Sequence, residues 1–155
     1  MGLFSFIKNA GAKVFGIGKT TEEEAKIEAV ENAAKLSNAV EALGLNVENL
    51  DIQIDGDTAT IYGEAENQAT REKVVLVVGN TDGIASVDDQ MTTAIQEPEA
   101  QFHTVVSGDS LSKIAKVYYG NAMKYPVIFE ANKPMLTHPD KIYPGQVLRI
   151  PVLES

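Results

Sequence analysis

The sequence predicts an α+β protein made of two small domains, and three observations lead there. Hydrophobic periodicity alternates between helical spacing and period two over the first ninety residues. A stretch without periodicity, TTAIQEPEAQ, then intervenes and carries Pro98. Charge also changes sign across it. Residues 1–99 hold 7 Lys+Arg and 18 Asp+Glu, a net −11, whereas residues 100–155 hold 6 and 4, a net +2. The first domain is therefore placed at residues 1–91, a linker at 92–101 and the second domain at 102–155.

The chain opens MGLFSFIKNAGAKVFG. No basic residue precedes Lys8, and Lys8-Asn9 interrupts the apolar run, so the stretch lacks the layout of a secretory signal. It is too short to span a bilayer, which takes about 20 apolar residues. Phe6 stands where myristoylation requires Ser or Thr. FSFIKNAG reads instead as a short helix ending at Asn9-Ala10-Gly11. Next comes an amphipathic helix with one possible break, in which Thr20 or Thr21 closes a capping box. Ile27, Val30, Ala33/Ala34, Val40 and Leu43 form its apolar stripe, and Gly44 is its stop.

Leu50, Ile52 and Ile54, then Ala59 and Ile61, alternate around Asp55-Gly56-Asp57 as a hairpin. A second helix starts near Asn67, buries Val74, Val75, Val77 and Val78, and stops at Gly79 as a C′ residue with positive φ. Ala85, Val87 and Met91 mark a third strand. The order is αββαβ, with both helices on one face of the sheet. In the second domain, Phe102–Val106 is a strand. A helix follows with Leu111, Ile114, Ala115 and Tyr118 on one side and Gly120 at its end. A shorter helix covers about Met123–Ala131, and Pro144-Gly145 turns into the strand VLRI. This order is βααβ.

Composition excludes several functions. There is no cysteine, hence no disulfide, thiol nucleophile or cysteine metal site. A net charge of −9 disfavours nucleic acid and anionic membranes. No G-x-S-x-G, P-loop or H-E-x-x-H is present, and His103 and His138 are far apart, so no enzyme is expected. Asp51, Asp55 and Asp57 lack calcium-loop spacing and read as a solvated turn.

HTVVSGDSLSKIAKVYYGNAMKYPVIFEAN…IYPGQVLRIP resembles a LysM domain over about residues 102–151, through V-x-SGDSLxxIA, YGN, EAN and IYPGQxLxIP. Asp109 or Ser110 caps its first helix. The preceding unit resembles a BON domain. It has a hairpin ending in a glycine, a Val-rich helix, and a closing phrase made of Gly79, Gly83-Ile84, Val87 and Asp89. The two in this order, opened by MGLFxFIKNAG, resemble the small cytoplasmic BON–LysM potassium-binding proteins of bacteria.

A helix C-terminus leaves up to four carbonyls without intrahelical partners, at the negative end of its dipole. Two such ends and the TDGI loop could surround one ion with neutral oxygens, which suits K⁺. From the residues alone both ends read as ordinary C-caps. The resemblance implies otherwise: the ion would be held by backbone carbonyls of Ile7, Ala10 and Ala12 in the arm and of Gly79, Thr81 and Ile84 in the loop. It further implies a cytoplasmic K⁺ sensor or buffer that changes conformation on binding.

The alternative is a protein that binds peptidoglycan or another N-acetylglucosamine glycan through LysM. The resemblance places that groove at Gly108, Asp109, Ser110 and Leu111, facing Asn132, Pro134 and Ile142. Asp109 and Asn132 also read simply as helix start and helix stop, and the groove is expected to be committed to the domain interface. A BON-mediated lipid or protein adaptor fits the acidic charge less well. No nucleic-acid or membrane partner is expected, and the protein is expected to be a monomer.

Overall fold

The computed structural model describes residues 2–6, 22–81, 83–95 and 100–152. The first domain is a mixed sheet covered on one face by two helices. Strand β1 (Gly2–Ser5) precedes helix α1 (Glu22–Ala42), hairpin β2 (Val47–Asp55) and β3 (Thr58–Ala65), helix α2 (Gln68–Gly79), β4 (Ser86–Asp89) and β5 (Thr92–Thr93). The sheet order is β1-β4-β3-β2, with β5 also on β3. β2 and β3 run antiparallel, whereas β3 and β4 run parallel because α2 makes the crossover between them.

The sheet therefore extends beyond the αββαβ expectation at both ends. FSFIKNAG does not begin as a helix, since Gly2–Ser5 is a strand paired antiparallel with β4. The non-periodic stretch also contributes β5, whose Thr92 and Thr93 pair with Glu64 and Ala65.

In α1 the helix runs unbroken from Glu22 to Ala42 and ends as expected at Gly44. The Gly44 amide donates to Glu41 O at 3.0 Å and the Leu45 amide to Val40 O at 3.4 Å, the paired bonds of a Schellman cap. Its buried stripe agrees with the expected one only in part. Ala33, Leu36 and Val40 face the sheet, while Val30 is 72% exposed. Ala33 and Val40 are thus as expected, whereas Leu36 takes the inward place that was assigned to Val30.

Ile52, Ala59, Ile61 and Val87 supply the inner face of the sheet and share one core with Leu36, Val40, Val74, Val75 and Val78. Leu76 is buried as well, whereas Val77 is only partly so. The glycine near the end of the hairpin has a steric cause. Gly63 has φ +140°, and a Cβ there would lie 2.7 Å from Val47 and 2.9 Å from Glu48 O. It sits near a bulge between Glu48 and Asp51, in which Asn49 adopts φ 56°. Asp89, at the end of β4, is buried and accepts from Arg71 Nε at 2.8 Å and from the Met91 amide at 2.9 Å.

The second domain follows the expected βααβ order. It comprises β6 (Gln101–Thr104), α3 (Leu111–Tyr119), a 3-10 turn at Ala122–Lys124, α4 (Tyr125–Ala131) and β7 (Val147–Ile150). β6 and β7 form an antiparallel pair. Ser110 caps α3 by accepting from the Lys113 amide, and Gly120 ends it in the left-handed region. Leu111, Ile114, Ala115, Ile128 and Leu148 make a separate core.

The two domains meet along α2. Arg149 Nε donates to Glu72 Oε1 at 2.6 Å, and the Ala100 amide donates to Glu72 Oε2 at 2.9 Å. Gln68 adds a third donor to the same buried carboxylate. Phe4 and Phe102 stack with ring centroids 5.1 Å apart. At the end of α2, the Asn80 carboxamide pairs with the backbone of Val147, donating from Nδ2 to its carbonyl and accepting its amide at Oδ1, each at 2.8 Å.

The α1 stripe gives a direct check. Leu36→Ala should cost about 2–5 kcal/mol, the usual range for emptying a buried leucine site, while Val30→Ala should stay within about 0.5 kcal/mol. Urea denaturation of both variants measures this, and similar losses at the two positions would restore the sequence-derived stripe.

Candidate functional site

The opening stretch is a strand because its side chains alternate. Leu3 is 67% exposed and Ser5 is exposed, whereas Phe4 is half-buried and Phe6 is 9% exposed. Beyond the β1–β4 register, the Phe6 amide donates to Ala85 O at 2.8 Å. This bond carries the arm along β4 to the loop where β4 begins. There the Phe6 ring lies against the last residue of α2. A Cβ built on Gly79 would stand 2.0–2.2 Å from three Phe6 ring atoms, closer than any real contact.

That contact corrects the reading of Gly79 as a left-handed C′ residue. Gly79 is the last helical residue and has no positive φ, and the C-cap is Asn80 at φ −80°, ψ 15°. Glycine is required here for space, not for handedness.

The carbonyls at the end of α2 are shared out unevenly. Leu76 O accepts from the Asn80 amide at 2.8 Å, Val77 O from the Thr81 hydroxyl at 3.0 Å, and Val78 O from the Thr81 amide at 3.2 Å. Gly79 O receives no hydrogen bond from another described residue. The turn then tightens, with the Ile84 amide donating to Thr81 O at 3.1 Å and Gly83 at φ 101°.

Gly79, Thr81 and Ile84 thus share one short turn, and Thr81 and Ile84 are both buried. The Thr81 side chain is spent on the helix end, so what Gly79, Thr81 and Ile84 can offer a ligand, among the described residues of this turn, is their backbone carbonyls. Among the described residues no group of three or more His, Asp or Glu could hold a metal ion. A neutral donor set fits a large monovalent cation better than Mg²⁺ or Ca²⁺, which draw on carboxylates. Ile7, Ala10 and Ala12, the other three residues implied as ligands, lie outside the described residues.

A cleft of about 570 Å³ opens beside this turn between the domains, walled by Leu76, Asn80, Thr81, Leu136 and Tyr143. Burial there raises the Tyr143 phenol above its ordinary pKa.

The residues expected to line a glycan groove are differently employed. Asp109 does not cap α3. Its Oδ2 accepts from the Val106 amide at 3.0 Å and pairs with His103 Nε2 at 2.9 Å, while His103 Nδ1 meets the Tyr118 hydroxyl at 3.0 Å. These bonds, that of His103 foremost, hold the Asp109 carboxyl below its ordinary value. Ser110 is the cap, Leu111 is core, and Ile142 packs against the same core.

Asn132 is buried and gives its carboxamide to Ile128 O, Arg149 O and the Arg149 amide. The expected commitment of this groove to the domain interface is not observed. The interface runs along β7 and the Met135–Gln146 stretch, and Gly108 and Pro134 are exposed.

Two contacts escaped the sequence reading. The Phe6–Gly79 contact had a signal, since Leu3-Phe4-Ser5-Phe6 alternates with period two. The pairing of Asn80 with Val147 had none, because nothing local distinguishes an asparagine that caps its own helix from one that reaches another domain.

A BON domain model matches residues 28–94 and a LysM domain model residues 103–151. The chain is 49% identical over 152 residues to the potassium binding protein Kbp of Escherichia coli O6:H1, covering 97% of this chain and 99% of that protein. It is also 55% identical over 49 residues to an uncharacterized protein of Deinococcus radiodurans, covering 32% of this chain and 19% of that protein.

Two predictions follow from these geometries. Gly79→Ala should expel the Phe6 ring and loosen the arm, and Phe6→Ala should remove most of the added cost of Gly79→Ala. A double-mutant cycle on thermal stability measures the coupling, and additive losses would show that ring and glycine do not compete for space.

For Asp109 the pKa is lower folded than unfolded. Its contribution to stability should therefore be complete above the ordinary value of 3.8 and vanish as pH falls through the lower folded value. Melting temperatures of wild type and Asp109→Asn should converge at acid pH, and a constant gap would contradict this.

Proposed function

Since this chain belongs to the family of the potassium binding protein Kbp, a BON domain followed by a LysM domain, we propose that it binds K⁺ selectively through backbone carbonyls. The observation that carries this reading is the turn after α2, in which Gly79, Thr81 and Ile84 are buried. It gathers carbonyl oxygens at the negative end of α2 and offers no carboxylate cluster among the described residues. Gly79, Thr81 and Ile84 would supply one side of the site, and Ile7, Ala10 and Ala12 of the arm the other. Phe6, wedged against Gly79, anchors the arm to this turn.

The role that follows is a cytoplasmic K⁺ sensor or buffer whose conformation responds to the ion, a binding protein and not an enzyme. It would act as a monomer without nucleic-acid or membrane partners. Among the described residues no helix is long and apolar enough to cross a membrane.

Ligand binding to the folded state raises stability by RT ln(1 + [L]/Kd), so KCl should raise Tm well above equimolar NaCl, with Rb⁺ partly substituting. Equal melting curves across physiological K⁺ would sink the proposal. Deleting residues 2–11 should abolish the difference while leaving most of the helix-covered sheet folded by circular dichroism. An unchanged K⁺ affinity after the deletion would remove the arm from the site.

Glycan binding is the lesser reading, because the polar side chains of Asp109 and Asn132 are spent within the domain. Purified sacculi should retain the protein weakly in cytoplasmic salt. Strong retention, competed away by soluble N-acetylglucosamine oligomers, would reverse the order of the two readings.

A further inference from the structure

Among the described residues strand β7 has one partner strand, β6, and hydrogen bonding in an antiparallel pair alternates along each strand. Thr104, His103, Phe102 and Gln101 pair in register with Val147, Leu148, Arg149 and Ile150. Val147 and Arg149 turn their amides and carbonyls to the other edge, where an unpaired strand would leave them open. Two asparagines close that edge in the same way. Asn132 pairs with both backbone groups of Arg149, at 2.8 and 2.9 Å, from within the LysM domain. Asn80 pairs with both groups of Val147, each at 2.8 Å, from the BON domain. Each carboxamide presents one acceptor and one donor, as a peptide group of a third strand would.

The consequence lies in where Asn80 sits. Its two peptide bonds join it to Gly79 and Thr81, and its own amide is fixed to Leu76 O at 2.8 Å. A residue held by its amide on one side and by a two-point side-chain clasp on the other has little freedom of φ, ψ or χ1. The direction of the Gly79 carbonyl depends on the plane of the Gly79–Asn80 peptide, which that clasp helps to fix. We propose that Asn80 is a positioning residue for the ion site. Through it, the open edge of LysM strand β7 sets the carbonyl geometry of the BON turn, so that ion binding and domain docking are coupled. This rests on the reading of Gly79–Ile84 as the K⁺ site.

Coupling must be reciprocal, and couplings between sites are usually about 5–150-fold. K⁺ should therefore slow hydrogen exchange of the Val147 amide in the wild-type protein relative to Na⁺, and Asn80→Ala should weaken K⁺ binding by about tenfold. Asn80→Ala should also narrow the preference for K⁺ over Na⁺, which loss of stability alone would not do.

Asn80→Asp separates position from charge. It keeps the acceptor for the Val147 amide but cannot donate to the Val147 carbonyl, and it adds a negative charge beside the turn. Positioning predicts weaker and less selective K⁺ binding than wild type.

Calorimetric titration of the full-length wild type with KCl comes first, and no binding there would overturn the K⁺ reading and this inference with it. If wild type binds, three results would each overturn the inference alone. They are Val147 exchange indifferent to K⁺, Asn80→Ala with unchanged affinity and selectivity, and Asn80→Asp with tighter binding than wild type.

Discussion

The contact on which the candidate site depends is the Phe6 ring against Gly79 at the end of α2. It is a negative constraint as much as an attraction, since no side chain can occupy position 79 while the ring is there. With the ring seated, β1 extends along β4, the Phe6 amide reaches Ala85 O, and the arm lies at the loop that ends α2. Three consecutive residues then divide the work of that helix end. Gly79 makes room for the arm, Asn80 grips β7, and the Thr81 hydroxyl closes the Val77 carbonyl.

Helix α2 is consequently enclosed from two directions, by the sheet of its own domain and by strand β7 of the next. This explains a helix with valine or leucine at all five positions from Val74 to Val78, and a buried acidic residue beside them. Glu72 is tolerated because Arg149, Gln68 and the Ala100 amide all donate to it. Removing one partner from such a pair leaves an uncompensated buried charge, typically a loss of about 3–5 kcal/mol, so the bridge fixes how the domains meet whatever its net contribution. Polar groups thus set the register between domains, while apolar contacts supply cohesion within each and, through Phe102, Met135 and Val147, across them.

How much of this the sequence discloses follows the range of the interactions. In the LysM half the signals are local. Ser110 caps its own helix, Gly120 ends it, and Gly145 turns into β7, so boundaries and order were legible. The BON hairpin and α2 were legible for the same reason. Strand β1 was not read as a strand, because four residues form one only when a partner some eighty positions away is present. The buried stripe of α1 was read correctly at Ala33 and Val40 and wrongly at Val30, because Leu36 suits helical spacing equally well and only the sheet selects between them. Gly79 was correctly singled out but for the wrong cause, since a glycine at a helix end ordinarily signals positive φ and the ring that excludes a side chain comes from another strand. Asn80 was invisible: its partner is 67 positions away.

In the proposed site, neutral carbonyls of the turn after α2 hold the ion against the arm that Phe6 anchors. Anomalous diffraction from crystals grown with Rb⁺ in place of K⁺ tests it most directly, because the heavier ion reports its own position. One peak is expected, bounded by the carbonyl oxygens of Gly79, Thr81 and Ile84 on one side and by backbone of the arm on the other. A peak at carboxylates elsewhere on the acidic domain, with none at this turn, would contradict it.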